Sequence, residues 1–125
     1  PGQAGWVIDM VHPTDRTTRW GRLMLVNLAL STSGSAEQSF QHEGRRFGHI
    51  IDPRTGWPAE GMLQVTALAP SAALAEALST TFFIHGVDWT RAYCERNPGV
   101  GAILIPNASA RPILVGSAKQ SVSFG

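Results

Sequence analysis

The feature that constrains this chain most is a short segment in which an apolar run ends abruptly in turn-forming residues. Residues 48–58 read GHIIDPRTGWP. Ile50 and Ile51 are typical of the end of a buried strand. Pro53 stops that strand, because proline has no N–H for a sheet ladder and forces the preceding residue into an extended conformation. A glycine and a second proline keep the following chain irregular, so the segment predicts a rigid loop at a strand end.

This loop carries a dense group of polar side chains. Loops at strand ends often hold ligand-binding residues, and the candidates here are His49, Asp52, Arg54 and Thr55. The alternative is a purely structural turn, since Asp-Pro-x-Thr-Gly is good turn chemistry and a histidine beside isoleucines is usually structural. Residue spacing alone does not decide between the two interpretations.

The chain before the loop predicts strands and small polar turns. In residues 6–11 apolar and polar side chains alternate well enough for a strand. Residues 22–31 have apolar side chains at both odd and even positions, which is typical of a central strand covered on both faces. Residues 31–35, STSGS, predict a loop whose hydroxyl and N–H groups could hold phosphate oxygens or flavin edges, although most such clusters are plain loops. Glu43-Gly44 makes residues 37–46 a hairpin bend.

The chain after the loop begins with a strand at Met62–Ala69 and a helix at Ala72–His85. Ser71 is a suitable N-cap for this helix, and Gly86 is placed to end it. The spacing predicts a core-facing stripe on the helix. Its members are Leu74, Leu78, Phe82 and His85.

The last third of the chain predicts a second helix, from an N-cap at Asp88 to Arg96, and two short strands at residues 100–105 and 113–115. A polar tail follows. It comprises residues 119–125. This order of elements predicts an α+β fold, a mostly antiparallel sheet with two helices packed on one face.

Two oxygen-bearing side chains lie one turn apart on the first predicted helix. Glu76 and Thr80 have the i, i+4 spacing that brings Cβ atoms within about 6 Å. A carboxylate and a hydroxyl so placed can both reach one hard cation such as Mg²⁺, which prefers oxygen ligands. Two oxygens do not complete a site, and by spacing alone such a pair is usually solvated surface.

Composition excludes several classes of protein. The chain has 125 residues, 43% of them hydrophobic, which suits a single globular domain. A formal net charge of +1 argues against a basic surface of the kind that binds nucleic acid. No apolar run of 18 residues and no signal peptide occurs in the sequence. The single cysteine, Cys94, cannot form an internal disulfide. It therefore does not indicate whether the protein works in an oxidising or a reducing compartment.

The loop segment resembles the His-Ile-Ile-Asp-Pro-Arg-Thr-Gly signature of the ApbE family, the FAD:protein FMN transferases. Further stretches resemble the family in the same order. They are Gly5-Trp6 with His12-Pro13, residues 29–34 (ALSTSG) and residues 75–80 (AEALST). The resemblance runs from about residue 5 to about residue 116 and covers only the later part of a family chain. It implies that residues 1–125 form a single or partial domain, the C-terminal portion of a T-fold-like flavin transferase.

The resemblance also implies a reaction. Family members transfer FMN from FAD to a Thr or Ser hydroxyl of an acceptor flavoprotein, a subunit of a redox complex, and release AMP with the help of Mg²⁺. The implied flavin-binding residues are Thr32, Ser33, Gly34, His49, Ile51, Arg54 and Thr55. The implied metal ligands are Glu76, where the family has Asp, and Thr80.

Two residues of the loop segment are assigned to the chemistry itself. His49 is the candidate base for the acceptor hydroxyl, since its ordinary pKa of about 6.5 suits proton transfer near neutrality. Asp52 is expected to orient His49 or to support the metal shell. Arg54 and Thr55 are expected to hold the loop or a phosphate group.

Two alternatives to transfer remain. The nearest is hydrolysis of FAD to FMN and AMP with water as acceptor. The other is a flavin-binding or structural half-domain without turnover, because the Gly-Gly-x-x-Lys-Gly type of stretch from the family's earlier half is absent from residues 1–125. We therefore expect this chain alone to be inactive and to pair with an N-terminal half or as a homodimer. By resemblance, the protein is a periplasmic or cell-envelope lipoprotein.

Overall fold

The computed structural model describes residues 6–34, 39–42, 45–48, 52–56 and 61–124. Within these residues every strand pair is antiparallel. The strands are β1 (Trp6–His12), β2 (Asp15–Leu25), β3 (Ala29–Gly34), β4 (Ser39–His42), β5 (Arg45–Gly48), β6 (Met62–Ala69), β7 (Gly101–Pro106), β8 (Ile113–Gly116) and β9 (Val122–Phe124). The helices are α1 (Ala72–His85), α2 (Val87–Arg96) and α3 (Ala118–Ser121). The predicted α+β class is confirmed.

The strands form three sheets, in the orders β1-β2-β9, β3-β6-β7-β8 and β4-β5. The four-stranded sheet is the middle layer. One of its faces packs against α1 and α2, around Val65, Leu104 and Phe82. Its other face packs against the β1-β2-β9 sheet, around Leu23 and Leu68. The two longer helices therefore lie on one face of a sheet, as predicted, while the strands divide among several sheets.

Helix α1 begins and ends as its local sequence predicts. The Ser71 side chain accepts a hydrogen bond of 3.2 Å from the Leu74 backbone N–H, and Gly86 closes the helix with φ +88°. The predicted core stripe is only half right, because Leu78 and Phe82 are buried whereas Leu74 and His85 are exposed. The stripe is rotated, and its buried members are Ala75, Leu78, Ser79, Phe82 and Phe83.

The predicted strand over residues 22–31 is wrong in its continuity, since residues 22–25 and 29–31 lie in two different strands. Strand β2 ends at Leu25, and Asn27 adopts φ +56°, which asparagine tolerates better than most residues and which breaks the extended chain. The next strand, β3, joins a different sheet. The apolar residues at both odd and even positions therefore reflect two strands in different sheets, not one strand covered on both faces. Met24 accordingly remains 49% exposed.

Three smaller predictions also need correction. Residues 31–34, predicted as loop, continue strand β3, because they pair with β6. Helix α2 starts at Val87 with Gly86 as its N-cap residue, so Asp88 lies in the first turn. The predicted polar tail contains α3 and then β9, which pairs with β2. The β4-β5 hairpin is confirmed, while its turn lies outside the described residues.

None of the helices in the described segments combines the length and the apolar character that crossing a bilayer requires.

Candidate active site

Strand β3 points its candidate residues to opposite faces of the middle sheet. Thr32 is paired with Thr66 and Ser33 with Val65. Since Val65 belongs to the core under the helices, Ser33 lies on the α1 side of the sheet, and Thr32 lies on the side of the β1-β2-β9 sheet. The sequence predicted both hydroxyls in one flavin site, and the structure separates them by the thickness of the sheet.

On the helix side, hydroxyl groups of β3 and α1 meet. The Oγ atom of Ser33 lies 2.8 Å from that of Ser79 and 3.4 Å from Oγ1 of Thr80. Ser79 Oγ also donates to the Glu76 backbone carbonyl at 3.1 Å and lies 3.4 Å from Ser31 Oγ. A chain of hydroxyls thus joins the predicted binding residue Ser33 to the predicted metal ligand Thr80.

On the opposite side, Thr32 meets a second hydroxyl. Its Oγ1 lies 2.9 Å from Oγ1 of Thr66. The two threonines line a cavity of about 160 Å³ together with Gln64 and with residues of β1 such as Asp9 and Met10. This cavity is large enough for part of a planar ligand or a few water molecules, not for a whole dinucleotide.

The predicted loop over residues 52–56 is a tight turn. The backbone carbonyl of Asp52 accepts from the backbone N–H groups of Thr55 at 3.2 Å and of Gly56 at 2.8 Å. Gly56 has φ +74°, a conformation that favours glycine. The turn chemistry anticipated from Asp-Pro-x-Thr-Gly is therefore present.

The Asp52 carboxylate is occupied by Arg54. Oδ1 accepts from the Arg54 backbone N–H at 2.9 Å and from its Nε at 3.1 Å, while Oδ2 accepts from Nη2 at 2.8 Å. These hydrogen bonds hold the pKa of Asp52 below its ordinary value, helped by the charges of Arg54 and His85. The pKa of Arg54 is raised in return. Asp52 is therefore an ionised anchor for Arg54.

The loop is fastened to the C-terminal turn of α1. Arg54 Nη2 donates to the Ile84 backbone carbonyl at 3.3 Å. Because Glu76, Thr80 and Ile84 follow one another at i, i+4 and i+8, the predicted metal pair and the loop share one side of the helix. At 1.5 Å per residue, Glu76 lies about 12 Å along the axis from the loop contact. The structure thus attaches the loop to the helix that carries the predicted metal pair.

The side chains of Glu76 and Thr80 are exposed on α1. Both offer oxygen donors, which is the chemistry that Mg²⁺ prefers, and the Ser33 hydroxyl beside Thr80 is a third oxygen nearby. Within the described segments no group of three or more His, Cys, Asp or Glu residues is placed to hold a metal ion. These oxygens alone would leave most of an octahedral Mg²⁺ shell to water or to further oxygen ligands.

The remaining flavin-binding candidates are Gly34, Thr55, His49 and Ile51. Gly34 ends β3, where an added Cβ atom would lie 3.5 Å from the Leu63 carbonyl, an ordinary contact. Thr55 is exposed on the loop. His49 and Ile51 lie outside the described residues, so their assignments stay predictions.

The sequence interpretation missed Ser79 and a row of aromatic rings. Ser79 is 1% exposed on an otherwise apolar helix face, and a buried hydroxyl in such a stripe is a signal, because it requires a partner. His85 and Trp89 stack with ring centroids 4.7 Å apart, and Trp89 and Tyr93 with centroids 5.6 Å apart. Their i, i+4 spacing was visible in the sequence.

A further cavity, of about 340 Å³, lies between α2 and the segment around α3. Cys94 lines it, and burial raises the pKa of this thiol to about 11. A thiol with such a pKa is protonated near neutrality and is a poor nucleophile. None of the predicted site residues lines this cavity.

Comparison with known proteins gives a consistent result. The profile of the ApbE family matches residues 1–104. The FAD:protein FMN transferase of Rhodobacter capsulatus is 37% identical over 108 residues, or 82% of this chain and 20% of the relative. That of Haemophilus influenzae is 36% identical over 95 residues, or 74% of this chain and 28% of the relative.

Solved structures show the same likeness. The ApbE protein of Thermotoga maritima superimposes with a TM-score of 0.81 at 32% identity and covers 96% of this chain and 39% of its own. The flavinyl transferase ApbE of Pseudomonas stutzeri gives a TM-score of 0.62 at 26% identity, with 90% and 34% coverage. The chain thus spans less than two fifths of the length of these proteins, and it belongs to the ApbE family.

Proposed function

We propose that the full-length protein transfers FMN from FAD to a Thr or Ser hydroxyl of an acceptor flavoprotein and releases AMP. The observation that carries the proposal is the exposed oxygen pair of Glu76 and Thr80, beside Ser33, on the helix that also receives the Arg54 loop. Support comes from the names of the relatives, which are FAD:protein FMN transferases.

Breaking a pyrophosphate requires positioning and neutralisation of charge. Glu76 and Thr80 would hold Mg²⁺, which supplies positive charge against the phosphate oxygens when it is bound. Arg54 is 59% exposed, and its bonds to Asp52 and Ile84 use Nε and Nη2. Among the described residues, Nη1 is therefore left for a phosphate oxygen.

Proton transfer is assigned to His49, which follows β5 by one position in the sequence. In this proposal the oxygen of the acceptor hydroxyl attacks the phosphorus atom of the FMN half of FAD, and His49 accepts the hydroxyl proton. The pyrophosphate bond breaks, and AMP leaves. Asp52 acts indirectly, because its carboxylate is engaged in fixing Arg54. Thr32 faces the cavity on the other side of the sheet, so in this proposal it contacts a part of the ligand that extends past the edge strand β3.

The experiment uses the full-length protein, FAD and an acceptor protein, with in-gel flavin fluorescence as readout. We expect labelling with Mg²⁺, loss of labelling with EDTA, and loss in His49→Ala with FAD binding retained. Thr81→Ala is the matched control for Thr80→Ala, since the Thr81 hydroxyl bonds to the Ala77 carbonyl at 2.9 Å. Release of FMN and AMP without labelling would favour FAD hydrolysis instead, and an unchanged signal with EDTA would remove the metal from the proposal.

The cellular setting follows from the same resemblance. We propose a periplasmic or cell-envelope location and an acceptor that is a subunit of a redox complex. Cell fractionation with an antibody, and recovery of a fluorescent flavinylated subunit only in cells that carry the gene, would test both. Light scattering of the purified protein distinguishes a homodimer from a complex with a separate N-terminal half.

A further inference from the structure

In the chain of hydroxyl groups beside Thr80, the donor of each hydrogen bond can be assigned from the number of protons that each group carries. Each serine or threonine hydroxyl carries one proton to donate and can accept from others. The Glu76 backbone carbonyl can only accept, and it lies 3.1 Å from Ser79 Oγ. The Ser79 proton therefore points to this carbonyl, with Ser31 Oγ as its second acceptor at 3.4 Å.

This assignment fixes the next bond in the chain. In the arrangement in which Ser79 donates to the Glu76 carbonyl, the 2.8 Å bond between Ser33 and Ser79 uses the proton of Ser33. The Ser33 oxygen is then left as an acceptor. The longer contact of 3.4 Å between Ser33 and Thr80 consequently has Thr80 Oγ1 as its donor.

We propose that Ser33 and Ser79 are positioning residues, which direct the Thr80 proton into the protein and leave the lone pairs of Thr80 Oγ1 facing a divalent cation. This inference rests on the proposed function, since it uses Thr80 as a metal ligand. Coordination withdraws electron density from a hydroxyl oxygen and makes its proton a better donor. The contact between Thr80 and Ser33 should therefore shorten when the metal binds.

A purely structural role for these serines makes a different prediction. Ser79 is 1% exposed and satisfies its own proton on the Glu76 carbonyl, so its removal is expected to change stability in either case. Only the positioning role requires that metal affinity falls when Ser33 is replaced. It also requires that this fall depends on the presence of the Thr80 hydroxyl.

The test measures Mn²⁺ binding by the full-length protein, with isothermal titration and the EPR signal of free Mn²⁺, in the absence of FAD turnover. Groups that orient a metal ligand typically change metal affinity by about 10–100-fold. We expect a loss of about tenfold in Ser33→Ala and in Ser79→Ala. Thr81→Ala, which removes a hydroxyl from the same helix outside the chain of bonds, should bind Mn²⁺ as the parent does.

A double-mutant cycle separates the alternatives. In a Thr80→Ala background, Ser33→Ala should have no further effect on Mn²⁺ affinity. If Thr80→Ala weakens binding while both serine variants match the parent, the inference is overturned and the proposed metal site stands. If Thr80→Ala itself binds Mn²⁺ normally, the metal site and the inference both fall. Should Ser79→Ala not fold, Ser33→Ala and the cycle alone decide.

Discussion

The two parts of the candidate site are held by different kinds of interaction. The helix part, formed by Ser33, Glu76, Ser79 and Thr80, is joined to strand β3 by neutral hydroxyl groups, and the Ser79 hydroxyl belongs to the buried face of α1. The loop part, residues 52–56, uses an ion pair between a nearly buried carboxylate and an exposed guanidinium. Packing should therefore control the first part and pH the second.

This difference suggests a division of labour. Neutral hydroxyls keep their geometry across a wide pH range, which suits the orientation of metal ligands. The loop is held by charge, and charged hydrogen bonds are strong but respond to protonation. Variants that alter packing, helix capping, ionisation and surface charge in turn should reveal how far the two parts can be separated.

The largest effect is expected from Phe82→Ala. Phe82 is fully buried between α1 and the middle sheet, and truncation of a buried phenylalanine typically costs about 3–5 kcal/mol. Urea unfolding measures the loss. Leu74→Ala on the same helix, where Leu74 is 37% exposed, should cost clearly less. Equal losses in the two variants would mean that α1 is not held by this core.

A smaller effect is expected from removal of the α1 N-cap. The Ser71 side chain bonds to the Leu74 N–H at 3.2 Å, and replacement of a capping serine by alanine typically costs about 1 kcal/mol, whereas glycine costs a few tenths. Thermal melts of Ser71→Ala and Ser71→Gly should differ in that order. If both variants melted at the same temperature as the parent protein, the cap would not stabilise the helix part of the site.

The loop part should give a pH-dependent effect. The pKa of Asp52 is lowered in the folded protein, so the folded state binds the proton less readily than the unfolded state, in which it is about 3.9. The stabilisation is therefore present above that value and is lost as pH falls through the lower folded pKa. In Asp52→Asn we expect a flatter acid limb in a plot of melting temperature against pH.

Arg54→Gln is the matched variant for this prediction, because it removes the cation and keeps a hydrogen-bonding side chain. Its acid limb should flatten as well. An acid limb as steep as the parent's in Asp52→Asn would mean that other carboxylates govern the acid response and that the loop is held by its backbone turn alone.

The smallest effect on stability is expected from Glu76→Gln. Glu76 is exposed on α1, and surface substitutions of this kind usually change stability by less than about 0.5 kcal/mol. Mn²⁺ binding should nevertheless weaken, because a neutral amide replaces the anionic ligand. A protein that loses stability but keeps its Mn²⁺ affinity would have the carboxylate in a structural role.

Local signals made parts of this structure predictable. Ser71 and Gly86 lie next to the ends of α1, and their chemistry acts within a few residues, so the helix bounds follow from the sequence. The turn after Asp52 is equally local, since its hydrogen bonds span two to four residues. The resemblance to the ApbE signature rests on the same contiguous stretch.

Non-local register made the rest unpredictable. Whether Thr32 and Ser33 share a face depends on the fact that β3 is a strand, which is decided by pairing with β6. The contact between Ser33 and Ser79 joins residues 46 positions apart. The local sequence around Asn27 is compatible with a continuous strand. The break between β2 and β3 follows from their membership of different sheets.

If the two parts of the site bind ligands as proposed, the hydrogen bond from Arg54 to the Ile84 carbonyl would couple their affinities. The last carbonyls of a helix lack partners within it, so Arg54 serves as a cap for α1. An anion that draws Arg54 away uncaps the helix that carries Glu76 and Thr80. By reciprocity, the factor by which the anion changes metal affinity is also the factor by which the metal changes anion affinity. Under the proposed function, this single guanidinium contact would therefore link metal binding to nucleotide binding.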